Sequence, residues 1–407
     1  RTFQSNGHAI YACADGCDSP LGESQPYQAQ GHQRATAGYG RFTSRVQICI
    51  TMLESAAFVH GKGTRAKTDK PSRPQAGMLV STGQRGESLK NEKLLSVNNL
   101  TVQFRIGRRR KIEAVAGASF DISVGETLGL VGESGCGKST IARSIVGLQK
   151  PTTGKIIFSG HDLSQCTIQH MKVIRPQLQM IFQDAVASLN PGRKIGKSIG
   201  EPLRVLGLVD RQEREHRTRE MMQAVGLDPK QMYSRYPFEF SGGQCQRVSL
   251  ARALILNPRL LICDEPVSAL DVSVQAQILN LLEKMKRQFE LTMLFISHDL
   301  AVVKNISDRV AVMYMGKICE IAFAEDLYRS PRHPYSALLL ESVPEPNPEQ
   351  KKRKMEPSNG EMPSPDDPPQ GCRFHTRCPN AKNICSNSEP KLAGYSDKGK
   401  VACHFPL

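Results

Sequence analysis

A glycine-rich loop constrains this chain more than any other feature. Residues 132–140 read Gly-Glu-Ser-Gly-Cys-Gly-Lys-Ser-Thr and directly follow the apolar run 127–131. A strand, a glycine-rich loop and a helix start, in that order, let backbone N–H groups surround a chain of phosphates. The positive end of the helix that begins near Lys138 also faces the anion. The sequence therefore predicts a binding site for ATP or GTP.

Each residue type in this loop has a predicted task. The glycines leave room that side chains would fill, the lysine reaches the outer phosphates, and the serine binds Mg²⁺. The alternative is a glycine-rich turn without chemical consequence, which the preceding strand and the Gly-Lys-Ser triplet disfavour. The predicted nucleotide-binding residues of the loop are Gly132, Ser134, Gly135, Gly137, Lys138, Ser139 and Thr140.

The composition favours a protein with anionic partners. Of 407 residues, 39% are hydrophobic, which is enough for a sizeable core and for two or three domains. The formal charge of +15 favours nucleotide, nucleic acid or a membrane surface without choosing among them. No stretch approaches the roughly 18 consecutive apolar residues of a membrane span, so any membrane role is expected to come through a partner. The twelve cysteines are scattered rather than framed for disulfides, which predicts a reducing compartment.

The first 93 residues differ from the rest of the chain. Residues 1–77 show weak periodicity and short apolar patches, which predicts disorder or an upstream extension of a protein that begins at Met78. They contain no basic start followed by an apolar stretch of signal-peptide length. Residues 78–93 are expected to link this segment to the folded part.

From Leu94 the pattern becomes that of an α/β domain, which we expect to span residues 94–330. Residues 95–104 and 114–122 alternate between apolar and polar side chains, which predicts half-buried strands. Residues 259–263 and 291–296 are continuous apolar runs, as in strands buried on both faces. The helical periodicity between these two runs predicts an amphipathic helix. Strand, helix and strand in this order predict a parallel sheet.

Two carboxylates and a histidine follow these buried strands. Asp264 and Glu265 close the first apolar run, and His298 follows the second. In an open α/β sheet, ligands bind at the carboxyl ends of the strands. We therefore expect Asp264 to hold the water shell of Mg²⁺ and Glu265 to act as the general base. A histidine is more often a structural residue, but the place of His298 after its strand favours contact with the γ-phosphate.

Two further segments add to the site. Residues 240–244, Phe-Ser-Gly-Gly-Gln, precede a helix and present a second set of free N–H groups at a helix start. A second phosphate-binding loop in a chain with one nucleotide loop is expected to serve another subunit's nucleotide. Gln183 follows the apolar run 178–181, which places its amide near the metal.

In their order along the chain, these elements resemble the ATP-binding cassette (ABC) ATPases of ABC transporters. Residues 132–140 are similar to the Walker A motif, and residues 260–265 to the Walker B motif with Glu265 in the catalytic position. Gln183 matches the Q-loop, residues 241–244 the signature loop, residues 268–271 the D-loop and His298 the switch histidine. The resemblance implies a P-loop fold with a mainly parallel sheet core, an antiparallel β subdomain and a helical subdomain at about residues 184–250.

The resemblance also implies a head-to-tail dimer with two ATP molecules between the protomers. Each nucleotide would touch the Walker A loop of one protomer and the signature loop of the other. The adenine is expected to stack on Phe104, unless that residue is an ordinary core phenylalanine. The catalytic residues would be Gln183, Glu265 and His298, with Mg²⁺ held by Ser139, Gln183 and Asp264. The residues implied to serve the partner's nucleotide are Ser241, Gly242, Gly243, Gln244 and Asp271.

A closer resemblance is to the oligopeptide/dipeptide importer subfamily, and within it to the second of the paired ATPase subunits. It implies a place at the cytoplasmic face of the inner membrane, with a paired ATPase subunit, two transmembrane permease subunits and an extracytoplasmic peptide-binding protein. The chain departs from the family at Ala185-Val186, Phe238 and Cys245, where Pro-Tyr, His and Arg are usual. The segments that carry the resemblance are 180–184, 188–191, 236–243, 307–314, 333–335 and the tail.

The C-terminal region, residues 331–407, has its own chemistry. Cys372, Cys378, Cys385 and Cys403 follow a proline-rich linker at 344–370, with spacings that fit structural zinc poorly. Four thiolates can hold an iron–sulfur cluster, and resemblance to the subfamily implies a [4Fe–4S] cluster of structural function. The alternative is four reduced cysteines without metal. Replacement of any one of these cysteines by Ser is expected to leave ATP binding by the 94–330 core intact, because no tail residue is assigned to the nucleotide site.

A soluble ABC-type ATPase that acts on nucleic acid or ribosomes is the alternative function, and it would also suit the basic charge. Such proteins commonly carry two cassettes or a long inserted coiled coil. This chain has one cassette, no internal repeat and no heptad run, so we expect no nucleic-acid partner. The sequence does not encode which peptide is carried, because selection belongs to the binding protein and the permeases.

Overall fold

The computed structural model describes residues 92–106, 110–207, 209–342, 362–396 and 399–407. The segment expected to be disordered, 1–77, and most of the expected linker lie outside these residues. The strands are β1 (Lys93–Ile106), β2 (Arg110–Ser123), β3 (Thr127–Val131), β4 (Thr153–Phe158), β5 (His161–Asp162), β6 (Leu178–Ile181), β7 (Leu260–Asp264), β8 (Thr292–Ser297), β9 (Arg309–Tyr314), β10 (Lys317–Phe323), β11 (Ala393–Gly394) and β12 (Lys400–Val401).

Twelve α-helices connect or flank these strands within the described residues. They are α1 (Lys138–Ile145), α2 (Ile168–Ile174), α3 (Ile195–Ile199), α4 (Glu201–Leu206), α5 (Arg211–Ala224), α6 (Pro229–Met232), α7 (Gly242–Leu254), α8 (Val272–Phe289), α9 (Leu300–Ile306), α10 (Ala324–Arg329), α11 (Pro334–Glu341) and α12 (Asn383–Asn387).

The antiparallel sheet has the strand order β2-β1-β4-β5. The two long strands β1 and β2 form a hairpin whose register runs from Lys93↔Ser123 to Ile106↔Arg110. Their alternation buries one face, as the sequence predicts, with a register shift between Val97 and Leu100. The backbone bulges there at Asn99, whose φ is 48°.

The main sheet has the order β11-β12-β10-β9-β3-β8-β7-β6. Strands β9, β3, β8, β7 and β6 pair in parallel, and the β10 end of the sheet is antiparallel. Every residue of β3, β7 and β8 is buried, which confirms the two-sided burial expected of their continuous apolar runs. The carboxyl ends of β3, β7 and β8 therefore meet at one edge of the sheet.

The helices α3 to α7 lie between β6 and β7 in the chain and pack around a common apolar core. Ile199, Met222 and Leu250 belong to this core and are almost fully buried. Helix α5 is largely polar and is stabilised locally: Asp210 caps it, and ion pairs join Glu213 to Arg217 and Glu215 to Arg219. The fold thus has the parallel core, the antiparallel subdomain and the helical subdomain that the sequence predicts.

The C-terminal region packs against the nucleotide-binding part instead of standing apart from it. Strand β12 extends the main sheet by pairing with β10, at Glu320↔Val401. Phe374 is buried against Tyr314 of β9 and Tyr335 of α11, with ring centroids 5.3 Å from each. The sequence motifs do not predict this contact, because each aromatic residue looks like an ordinary core residue.

None of the helices that the structure describes combines the length and the hydrophobicity needed to cross a bilayer.

Candidate functional site

The phosphate loop is built so that only glycine fits at two of its positions. A Cβ on Gly132 would lie 2.1 Å from the carbonyl oxygen of Met313, and one on Gly137 would lie 2.2 Å from that of Ala114. Both residues also have φ values in the left-handed region, 153° and 108°. Gly137 directly precedes α1, so the helix N-terminus opens onto the loop. The glycines at these two positions therefore leave the room beside the loop backbone that the sequence predicts.

The lysine and the serine of the loop both lie at the carboxyl ends of the buried strands. Lys138 is buried, with 4% of its surface exposed, and its Nζ donates hydrogen bonds to the carbonyl oxygens of Gly132 (2.7 Å) and Glu133 (3.0 Å). Ser139 Oγ donates to Asp264 Oδ1 at 2.9 Å. Burial raises the pKa of Asp264, and the hydrogen bond from Ser139 opposes that shift. A hydroxyl and a carboxylate are oxygen ligands of the kind that Mg²⁺ prefers, so this pair fits the predicted metal site.

Two of the predicted catalytic side chains, Gln183 and His298, converge on the carboxylate of the third, Glu265. Glu265 Oε2 accepts a hydrogen bond from Gln183 Nε2 at 3.1 Å and lies 3.3 Å from His298 Nδ1. The Glu265 side chain is only 13% exposed. Its backbone has a φ of 48°, a left-handed conformation that a non-glycine residue adopts at some cost. Gln183, Glu265 and His298, which follow β6, β7 and β8, thus form one site beside the Ser139–Asp264 pair.

The predicted signature loop is the N-terminus of α7. Ser241 is the N-cap, and its Oγ accepts from the Gln244 N–H while Gln244 Oε1 accepts from the Ser241 N–H. This capping box fixes the first turn of the helix. A Cβ on Gly243 would lie 2.5 Å from Val274 of α8, so glycine packs the two helices closely there. Ser241 and Gly242 are exposed, as a loop that serves another subunit requires.

Two further predicted nucleotide contacts lie on the surface. Phe104, in β1, is 39% exposed, which excludes the alternative of an ordinary core phenylalanine. Asp271 is the N-cap of α8, but its side chain makes no capping hydrogen bond. Both side chains are therefore available to a ligand or a partner, and their roles stay predictions.

A basic groove in the helical subdomain was missed by the motif analysis. It has a volume of about 650 Å³. Tyr233 and Tyr236 lie in its wall, and the acidic residues of the lining are Glu201 and Glu215. Its basic side chains are Arg193, Lys194, Lys197, Arg204, Arg211 and Arg214. The concentration of arginine and lysine between residues 193 and 214 is the signal from which the sequence could have predicted it.

The departures from the subfamily lie near this groove or in the core. Ala185 is buried and Val186 is exposed, just after Gln183. Phe238 is exposed and stacks on Tyr236, with ring centroids 5.7 Å apart. Cys245 is fully buried in the apolar core that surrounds α7.

The four tail cysteines line one small cavity, of about 10 Å³. Such a volume corresponds to about one water molecule. All nine cysteines that the structure describes are free. Among these described residues, no three His, Cys, Asp or Glu side chains form a group that could hold a metal ion. The structure therefore brings Cys372, Cys378, Cys385 and Cys403 together, but it gives no support to the iron–sulfur cluster.

The C-terminal region contacts the phosphate loop at Glu133, although no residue of this region is predicted to bind the nucleotide. Arg377 Nη1 donates to Glu133 Oε1 (3.1 Å) and Oε2 (2.9 Å). The N–H of Glu133 donates to Tyr335 Oη at 3.0 Å. Tyr335 and Arg377 lie more than 200 positions after Glu133 in the sequence. No local sequence pattern therefore predicts their contacts with the loop.

This geometry defines a P-loop ATPase of the ABC class, and comparisons with known proteins agree. The family described as "ABC transporter" matches residues 115–268. The family described as "Oligopeptide/dipeptide transporter, C-terminal region" matches residues 319–385. A dimeric ATP-binding cassette, solved in a post-hydrolysis state with ADP and Pi bound, is 27% identical with a TM-score of 0.52. That alignment covers 56% of this chain and 98% of the cassette.

Relatives that align over most of their own length identify the family within the ABC class. The oligopeptide transport ATP-binding protein OppF of Salmonella typhimurium is 49% identical over 76% of this chain and 95% of its own length. AppF of Bacillus subtilis, with the same description, is 50% identical over 72% of this chain and 90% of its own length. The chain belongs to the family of ATP-binding subunits of oligopeptide and dipeptide ABC transporters.

Proposed function

We propose that this chain is the ATP-hydrolysing motor subunit of an ABC importer that takes up oligopeptides or dipeptides. The convergence of Gln183 and His298 on Glu265, beside the Ser139–Asp264 pair, carries the proposal. A phosphate cradle alone would support binding, whereas a partly buried carboxylate at its edge supports hydrolysis. The named relatives are peptide-transport proteins, which favours import over the alternative action on nucleic acid or ribosomes.

The roles of the site residues follow from their positions. Lys138 and the free N–H groups of the loop would bind the outer phosphates, while Ser139 and Asp264 would hold Mg²⁺ with Gln183 nearby. The metal would neutralise charge that develops on the phosphates during transfer. Glu265 would orient and deprotonate the attacking water, and His298 and Gln183 would hold its carboxylate in place. Phe104 would stack on the adenine.

A second copy or a paired ATPase subunit would complete each site. The Ser241–Gln244 loop is exposed and is fixed by its own capping box, so it is preorganised for a ligand that its own subunit does not provide. We infer that this loop, with Asp271, binds the nucleotide held by the other ATPase subunit. The resulting dimer would close on ATP and open after hydrolysis.

Two permease subunits would provide the path through the membrane, and a peptide-binding protein would deliver the substrate. The basic groove of the helical subdomain is a suitable surface for an acidic or carboxyl-terminated segment of a permease, because its cations outnumber its carboxylates. In this arrangement the chain would lie peripherally at the cytoplasmic face of the inner membrane. The binding protein and the permeases would determine which peptide is transported.

Purification from membranes tests the transport assignment. Affinity-tagged chain, expressed at its natural level and solubilised in mild detergent, is expected to bring down two polytopic membrane proteins and a second ATPase. A variant with Arg211 and Arg214 changed to Glu is expected to lose the membrane proteins yet still bind ATP. Recovery with ribosomes or DNA, and without polytopic proteins, would contradict the proposal.

The iron–sulfur cluster stays a prediction, and it has a direct test. If the resemblance holds, anaerobically purified protein contains iron and sulfide in near-equal amounts and absorbs broadly in the visible range. Cys378→Ser is expected to lower both, because a hydroxyl is a poor ligand for iron, whereas Cys166→Ser, outside the tail, changes neither. Metal-free protein with a folded tail would support four reduced cysteines instead, and zinc without iron would also contradict the cluster.

A further inference from the structure

The C-terminal region contacts the phosphate loop at Glu133. The side-chain carboxylate of Glu133 accepts hydrogen bonds from Arg377, and its N–H donates to Tyr335. Its carbonyl oxygen accepts from Lys138, the residue expected to bind the outer phosphates. The C-terminal region therefore contacts Glu133, the same loop residue that Lys138 contacts.

The ion pair between Arg377 and Glu133 is largely shielded from solvent. The two side chains are 13% and 27% exposed. The guanidinium of Arg377 also faces the rings of Tyr314 (5.8 Å) and Phe374 (6.0 Å), both of which are fully buried. Exposed ion pairs contribute little because water and salt screen them, whereas removal of one partner from a shielded pair leaves an uncompensated charge.

A second connection runs from the tail to the same loop through the β9–β10 turn. Arg373 donates to the carbonyl oxygen of Met315 and to Glu113 Oε2. The next residue, Gly316, donates its N–H to the carbonyl oxygen of Cys136 in the loop at 2.9 Å. Arg373 follows Cys372 and Arg377 precedes Cys378, so the cysteine-lined part of the tail positions both arginines.

We propose that Arg377 is a positioning residue for ATP binding, which neutralises Glu133 and fixes the loop in its phosphate-binding conformation. The inference rests on the proposed ATP binding. The carboxylate of Glu133 belongs to a loop that must accept an anion, and without a counter-charge it repels that anion. Arg377 and Tyr335 together hold both the side chain and the backbone of Glu133.

The affinity of the full chain for Mg-ATP, measured by titration, tests this role. Arg377→Ala is expected to raise the Kd about tenfold, because an unpaired carboxylate is left near the phosphates. Glu133→Gln in the same chain is expected to restore most of the affinity by removing that charge, and Arg377→Lys part of it. Lys391→Ala, which removes an exposed tail cation, is the matched control and is expected to leave the Kd unchanged.

Rescue by the second substitution separates this role from simple support of the fold. If Arg377 only supported the fold, Arg377→Ala would lower the affinity for ATP together with the thermal stability. Glu133→Gln would then not restore the affinity. If Arg377→Ala binds ATP like the unaltered chain, or if Glu133→Gln gives no rescue, the inference is wrong. Should Arg377→Ala not fold, Arg377→Gln takes its place in the same cycle with the same expectations. Failure of the unaltered chain to bind ATP would instead contradict the proposed function.

Discussion

Replacement of Glu265 by Gln is expected to reduce ATP hydrolysis by about 10²- to 10⁴-fold, the usual contribution of a general base. The amide has the size of the carboxylate and can still accept the hydrogen bond from Gln183, so the site keeps its geometry. The cradle formed by Lys138 and the loop is unchanged, so the affinity for ATP is expected to stay within about twofold. A trapped, closed dimer in the presence of Mg-ATP is the expected consequence.

A matched control separates the base from a general effect of lost charge. Glu283 lies on the exposed face of α8 and pairs with Arg287 one turn away. Glu283→Gln removes the same charge far from the sheet edge and is expected to leave hydrolysis unchanged. Hydrolysis by Glu265→Gln at the unaltered rate would show that Glu265 is not the base, even if the variant binds ATP normally.

The main elements of the site could be predicted from the sequence because each depends on a local pattern. An apolar run followed by glycines or carboxylates marks a buried strand and its carboxyl end, and β3 has the predicted bounds, Thr127–Val131. Helix α1 begins at Lys138, where its start is predicted, because Gly137 in its left-handed conformation ends the loop. Gln183, Glu265 and His298 meet because parallel neighbours place their carboxyl ends together.

The tail could not be predicted in the same way, because its contacts join distant parts of the chain. Arg377 and Glu133 are separated by 244 positions, and neither residue stands out locally. Tyr314, Tyr335 and Phe374 form an aromatic cluster where the tail packs against β9 and α11, and the three residues are far apart in the sequence. The tail thus contacts the phosphate loop through packing and ion pairs between distant residues, which no local sequence motif predicts.

Gly242→Asp is expected to abolish hydrolysis while the isolated monomer keeps its affinity for ATP. Gly242 is exposed at the first turn of α7, and a Cβ there would lie 3.4 Å from Leu270, an ordinary contact. The variant should therefore fold. If the loop serves the partner's nucleotide, the new carboxylate faces the γ-phosphate, and two unit charges at 4 Å repel each other by about 4 kcal/mol near a protein surface. This repulsion would weaken ATP binding in the closed dimer on the order of a thousandfold. The affinity of the monomer for ATP should change by less than about twofold.

Gly242→Ala separates the charge from the added bulk. Because the methyl group has room beside Leu270, this variant is expected to retain most of its hydrolysis, and the contrast with Asp then measures repulsion alone. Gly243 cannot serve the same purpose, since a Cβ there would lie 2.5 Å from Val274 and would disturb the packing of α7 on α8. If Gly242→Asp lowers ATP affinity in the monomer as much as it lowers hydrolysis in the dimer, the loop acts on its own subunit's nucleotide, and the head-to-tail dimer is wrong.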